Sequence, residues 1–156
     1  MISFQKNGVR FGHRTVAVLI DGGRVLLQYD EVGDYWFLTG GRVEMHEDSK
    51  QALMREMQEE LGFDVQIERL LWAVENFVEN NGVLHHGAEL YYLASLPEDA
   101  TLRTTTDPIY CQDNGVRLIF QWIPLDKLDE ITLYPVFLKT GLRNLPRTTE
   151  HIVIHQ

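Results

Sequence analysis

One stretch of this chain admits a single reading. Residues Glu47 to Leu61 hold neither glycine nor proline, place Leu53, Met57 and Leu61 four residues apart, and stop at Gly62, where a left-handed C-terminal cap belongs. That is an amphipathic helix, and what surrounds it is patterned mainly for strands. Thr15–Ile20 (TVAVLI) and Arg24–Tyr29 (RVLLQY) flank Asp21-Gly22-Gly23 as an antiparallel hairpin. Tyr35–Leu38 is a short aromatic strand leading to Gly40-Gly41, and Phe63–Phe77 with Ala88–Ala94 forms a second hairpin across ENNG at 79–82. Residues 97–114, with Thr104-Thr105-Thr106 and Asp107-Pro108, read as a long loop, followed by a strand at Val116–Ile123. Short helical pieces follow at 126–129 and 135–142, and the closing HIVIHQ either adds a strand or crosses to a partner subunit in a homodimer. No repeat or linker divides residues 1–156, so the expectation is one mixed α/β domain.

The helix carries an unusual load of acid. Counting about 100° per residue from Leu53, Met57 and Leu61 fall at about 40° and 80°, while Glu60, Glu56 and Glu59 fall at about 340°, 300° and 240°. All three carboxylates therefore border the apolar stripe instead of opposing it, together with Ala52, which is small enough for close approach. A solvated face is the ordinary reading of an acidic helix, and like charges at i,i+4 cost only about 0.2–0.5 kcal/mol. Against it stand the groove-edge position, the neighbouring Arg55, which can pair with Glu47, and the flexible Gly40-Gly41 path, whose carbonyls are further hard oxygen donors. Oxygen-only donors suit magnesium, manganese or calcium, and magnesium commonly keeps positions open for substrate phosphate.

Composition narrows what such a site serves. The apolar fraction of 44% suits a globular core, no apolar run approaches a membrane helix, and MISFQKNGVRFGHR lacks the apolar centre of a signal peptide. These features predict a cytoplasmic protein with no membrane partner. Cys111, the single cysteine, supports neither a disulfide nor a zinc site. A net charge of −9 without clustered Lys or Arg argues against a nucleic-acid polymer as partner. A small phosphate ligand needs a cation in between, since two like charges about 4 Å apart repel by roughly 4 kcal/mol at an effective dielectric of about 20.

The run Gly41, five residues, Glu47, seven residues, Arg55-Glu56-Met57-Gln58-Glu59-Glu60-Leu61-Gly62-Phe63 resembles the signature of the Nudix hydrolases without a mismatch. TVAVLIDGGRVLLQYD and WFLTGG resemble the segments that precede it in that family. The resemblance implies a Nudix-type α/β/α sandwich with a mixed β-sheet, and metal-dependent hydrolysis of a pyrophosphate bond in a nucleoside diphosphate linked to another moiety, such as an ADP-ribose-like compound or a sugar nucleotide. It implies Glu56, Glu59 and Glu60 with the Gly40 carbonyl as donors to magnesium or manganese, Glu56 or Glu59 as the group that takes the proton, and Arg55 with Glu47 as the pair orienting the loop. Two other readings stay open: cleavage of a modified nucleoside triphosphate to monophosphate and pyrophosphate, and a non-catalytic nucleotide-sensing module. The usual proline before the double glycine is Thr39 here, which is expected to alter loop stiffness more than chemistry. The proline or tyrosine that marks some substrate subclasses beyond the signature is absent from Phe77-Val78-Glu79-Asn80-Asn81.

Substrate contacts are sought among Arg14, Trp36, Phe77, His86 and Glu89. Arg14 suits a phosphate, or a neighbouring acid; Trp36 and Phe77 suit a base, or the core. His85-His86 suits phosphate or metal, or plain exposure. Glu89, Asp107 and Asp113 are candidates for a further carboxylate outside the signature, each weighed against an ordinary surface or turn acid.

Overall fold

Two-residue turns organise the strands. Asn7-Gly8, Gly22-Gly23, Asn81-Gly82 and Asn114-Gly115 all adopt φ between +49° and +79°, positive at both positions as the tight hairpin turn requires. In the computed structural model, which describes residues 1–155, they join β1 (Ser3–Lys6) to β2 (Val9–Asp21), β2 to β3 (Arg24–Asp30), β6 (Gln66–Asn80) to β7 (Val83–Ser95), and β8 (Ile109–Asp113) to β9 (Val116–Pro124). The remaining elements are β4 (Tyr35–Leu38), β5 (Gly40–Arg42), α1 (Ser49–Leu61), α2 (Leu138–Gly141) and β10 (Glu150–His155).

The sheet runs β10-β6-β7-β2-β3-β9-β8, with β1 and β5 also on β2 and β4 on β3. β2 and β3 pair only at Ile20–Val25 and Asp21–Arg24. Beyond that they part: β2 runs parallel to β7 from Val9 to Leu19, while β3 pairs antiparallel with β4 and β9. β2 is buried on both faces, which explains its unbroken apolar run. Val16 and Val18 pack with Leu71, Trp72, Leu133 and Leu138, whereas Ala17 and Leu19 pack with Leu53 and Met57 of α1 and with Phe120 and Trp122. The mixed sheet thus lies between α1 and the C-terminal helical segment, an α/β/α sandwich. Among the described residues no helix is long and apolar enough to cross a membrane.

Two expectations are corrected. The helix starts at Ser49 rather than Glu47, because the Asp48 carboxylate accepts from Gln51 N at 2.9 Å and the Gln51 side chain accepts from Asp48 N at 3.0 Å, a capping box. Residues 97–114 are not one loop: they contain a 3-10 turn at Thr101–Thr104, whose Leu102 carbonyl accepts from the Trp122 indole at 2.8 Å, and all of β8. Of the two readings of the tail, the added strand is the one found: it forms β10, parallel to β6 of its own chain, with Gln156 outside the described residues. As expected, Gly62 closes α1 at φ +76°.

Candidate functional site

The capping box releases Glu47 from the helix and turns it back toward Arg55. The Arg55 guanidinium donates to Glu47 through Nε at 2.8 Å and Nη2 at 2.9 Å, to Glu56 through Nη1 at 2.9 Å, and to the Arg42 carbonyl at 3.1 Å. Glu59 lies 3.5 Å from Nη1 and is half exposed. The Glu44 N–H also donates to Glu47, at 3.0 Å, so residues 42–47 are held on the helix through one guanidinium. That hydrogen-bonding by Arg55 holds the Glu47 carboxyl down to about 2 and raises Arg55 itself.

The acids of α1 are buried in the order of their angular distance from the apolar stripe. Glu60 is the most enclosed: burial pushes its carboxyl up to about 7, Thr39 works against that by donating a hydrogen bond at 2.8 Å, and the charges of Glu56 and Asp113 add to the rise. Burial also raises Glu56, Arg55 opposes this, and Glu59 and Asp113 reinforce it. Of the three acids considered outside the signature, Asp113 at the end of β8 therefore acts on both signature carboxylates. Asp107 is exposed in the 97–114 segment. Glu89 is buried and accepts from the Tyr91 hydroxyl at 3.1 Å.

The donor set fits a hard divalent cation. It is made of oxygens, it holds partly buried carboxylates that repel one another, and among the described residues Arg55 is the one guanidinium paired with it. Glu56, Glu59 and Glu60 would hold the ion, with the Gly40 carbonyl as a further donor, since Gly40 precedes Gly41, which lies against Glu56. Among the described residues, no group of three acid, His or Cys side chains is already gathered as a complete shell; Glu56 is turned to Arg55 and Glu60 to Thr39.

Beside this helix lies a cavity of about 800 Å³. Its basic rim is Arg10, Arg14 and Arg42, and its aromatic lining includes Tyr35, Phe37 and Tyr134. Gly12 and Gly87 are paired on adjacent strands of its floor, where the absence of side chains leaves depth; a Cβ at Gly87 would come within 2.8 Å of Glu89 Oε2. Gly41 belongs to both places. It lines the cavity, and a Cβ there would collide with the Glu56 carboxylate.

Of the side chains sought as substrate contacts, Arg14, His86 and Glu89 line the cavity. Trp36 and Phe77 do not. Trp36 projects from the opposite face of β4 to Tyr35 and Phe37 and packs at 4.8 Å on Tyr29 against the core. Phe77 stacks between His86 at 4.5 Å and His155 at 4.8 Å, while its neighbours Asn76 and Val78 line the cavity. Tyr134 reaches the site because Trp36 N donates to Thr132 O and Tyr134 N donates to Trp36 O, which sets the Tyr134 ring 5.4 Å from Tyr35. No local sequence signal marks Tyr134, Arg10 or Arg42.

The NUDIX domain family matches residues 12–143, most of the chain. The chain belongs to the Nudix hydrolase family. This Nudix chain is similar to an ADP-ribose pyrophosphatase from Streptococcus suis, with a TM-score of 0.59 and 19% identity over 92% of this chain and 98% of that one. A mutator MutT protein from Bacillus halodurans superposes with a TM-score of 0.61 at 17% identity, covering 90% of this chain and 89% of that one. At these identities both likenesses show the fold. An 8-oxo-dGTP diphosphatase from Proteus vulgaris is 50% identical over 34 residues, which span 22% of this chain and 30% of that protein.

Proposed function

We propose that this chain hydrolyses the pyrophosphate bond of a nucleoside diphosphate linked to another moiety. The observation that carries the reading is the position of Gly41, which forms a wall of the large cavity and lies against Glu56 of the acidic helix. A substrate seated in the cavity would present its phosphates to those acids. Arg14, Arg42 and Arg10 would hold the anion, and Tyr35, Phe37 and Tyr134 would stack on a base. The volume of about 800 Å³ is near the upper end for small-molecule sites, which favours a ligand with a group on each side of its diphosphate. When bound, a divalent cation supplies charge neutralisation and activation of water. Arg55 and Glu47 keep the loop on the helix, and Glu56 or Glu59 receives the proton from the attacking water.

The short match to an 8-oxo-dGTP diphosphatase supports a second reading, cleavage of a modified nucleoside triphosphate. A panel of both substrate classes with magnesium or manganese, and identification of the products, decides. Two monophosphates support the first reading; a monophosphate with pyrophosphate supports the second. No product from either class, with protein that is folded and metal-supplemented, refutes both.

A further inference from the structure

We infer that Thr39 is a positioning residue for Glu60, holding one carboxylate oxygen so that the other is the one free for a cation. Thr39 sits between β4 and β5 and is fully buried. Its carbonyl accepts from Ala17 N at 2.9 Å, which ties it to β2, and its hydroxyl donates to Glu60 Oε2 at 2.8 Å. A β-branched side chain in a packed site has little rotamer freedom, so the direction of that hydroxyl is set by the fold.

Glu60 has need of such a partner. Arg55 donates to Glu47 and Glu56 and lies beside Glu59, so its guanidinium is committed elsewhere. A glutamate side chain left without a partner samples many rotamers, and binding an ion through it then requires ordering it first. The Thr39 hydroxyl does that ordering in advance. Its bond to Oε2 leaves Oε1 as the oxygen available to a cation. Proline, the usual residue before the double glycine, has no hydroxyl, so the exchange reaches a candidate ligand as well as the stiffness of the loop.

The inference rests on the reading of Glu60 as a cation ligand, and the test separates the two. Mn²⁺ binding to substrate-free protein is measured by electron paramagnetic resonance of the free ion, with thermal unfolding of each variant recorded alongside. The set is wild type, Thr39→Val, Thr39→Ser, Glu60→Gln and the Thr39→Val/Glu60→Gln double variant. Loss of a partner that orients a ligand typically weakens metal binding about 10- to 100-fold. Thr39→Val is therefore expected to raise the Mn²⁺ Kd at least about 10-fold, Thr39→Ser to restore it, and Thr39→Val to add nothing once Glu60 is Gln. If Thr39→Val does not fold, Thr39→Ala compared with Thr39→Ser makes the same test of the hydroxyl. The positioning role alone is overturned if Glu60→Gln loses Mn²⁺ while Thr39→Val keeps wild-type affinity. It is equally overturned if serine fails to rescue, or if the two losses add independently. Should Glu60→Gln bind Mn²⁺ like wild type, the ligand reading falls and the positioning role falls with it.

Discussion

Gly40 and Gly41 are adjacent, yet alanine at the two positions should do opposite things. Neither has positive φ, so the backbone itself tolerates a side chain at both. At Gly40 the added Cβ would meet the Thr15 carbonyl and lie 2.9 Å from Val16 Cα, which is strand backbone that cannot step aside. Overpacking of that kind costs about 1–3 kcal/mol of stability. At Gly41 the three atoms nearest the Cβ all belong to the Glu56 side chain, Cγ at 2.5 Å and the carboxylate closer still. Carbon atoms in contact normally stand about 3.5–4.0 Å apart, so the Glu56 side chain must retreat by at least about 1 Å. It can do so at small cost, because replacing glycine also stabilises by about 0.4–1 kcal/mol through the unfolded chain. A misplacement of about 1 Å at a reacting site lowers rate about 100-fold, or roughly 2.7 kcal/mol of transition-state stabilisation. Gly41→Ala should therefore keep its urea midpoint and lose kcat/KM about 100-fold, while Gly40→Ala shifts the midpoint. The measurements are urea unfolding followed by circular dichroism, and steady-state kinetics on whichever nucleotide the panel identifies. A Gly41→Ala enzyme with wild-type kcat/KM would refute the placement of Glu56 at the chemistry.

The Glu60 carboxyl has a folded pKa of about 7 against an ordinary 4.5. Stability of the metal-free protein that is present below pH 4.5 is thus lost as pH rises through 7, by up to about 3 kcal/mol. Glu60→Gln should flatten that loss in unfolding experiments at low ionic strength between pH 4 and 9, and in the same protein abolish turnover; an unchanged pH profile counts against the enclosed carboxyl. Glu47 has the opposite sign. Its carboxyl is held at about 2, so its contribution is present above the unfolded value of 4.5 and disappears as pH falls toward 2. Arg55→Lys, which cannot make the forked contact, should cost about 1–2 kcal/mol at pH 7 after allowance for solvent screening, and little at pH 2; equal losses at both pH values would contradict the ion pair. Tyr134→Ala removes a cavity wall without touching the acids, so KM should rise by the equivalent of about 1–3 kcal/mol of stacking while kcat holds. A fall in kcat with KM unchanged would place Tyr134 outside the base-binding wall.

Local chemistry made some of this architecture readable, and the limits are equally physical. Helical periodicity orders the acids of α1 correctly, because which carboxylate is buried follows from its angle to Leu53 and Met57. The strand IYCQD was legible too: it alternates half-buried and exposed residues and ends at Asn114-Gly115, but the preceding polar run masks it. Strand alternation says that Tyr35 and Phe37 share one face of β4 and Trp36 takes the other. It cannot say which face looks into the cavity, since that depends on residues 132–134, far along the chain. Phe77 presents the same difficulty: its stacking partners His86 and His155 come from β7 and β10, one of them joined to β6 in parallel with no local turn to announce it.

Thr39 shows where periodicity ends and register begins. Nothing in its neighbours predicts that a residue between two short strands will touch a glutamate 21 positions later. The contact exists because β5 pairs with β2 at Val16–Gly40 while α1 packs Leu53 and Met57 against Ala17 and Leu19 of that same strand. β2 thereby fixes both partners at once, the loop through hydrogen bonds and the helix through apolar packing. Motif resemblance identifies the acids, but the geometry that directs them is a property of a strand outside the signature. Changes in the core of β2 should therefore reach the acids of α1 more readily than changes of similar size elsewhere in the sheet.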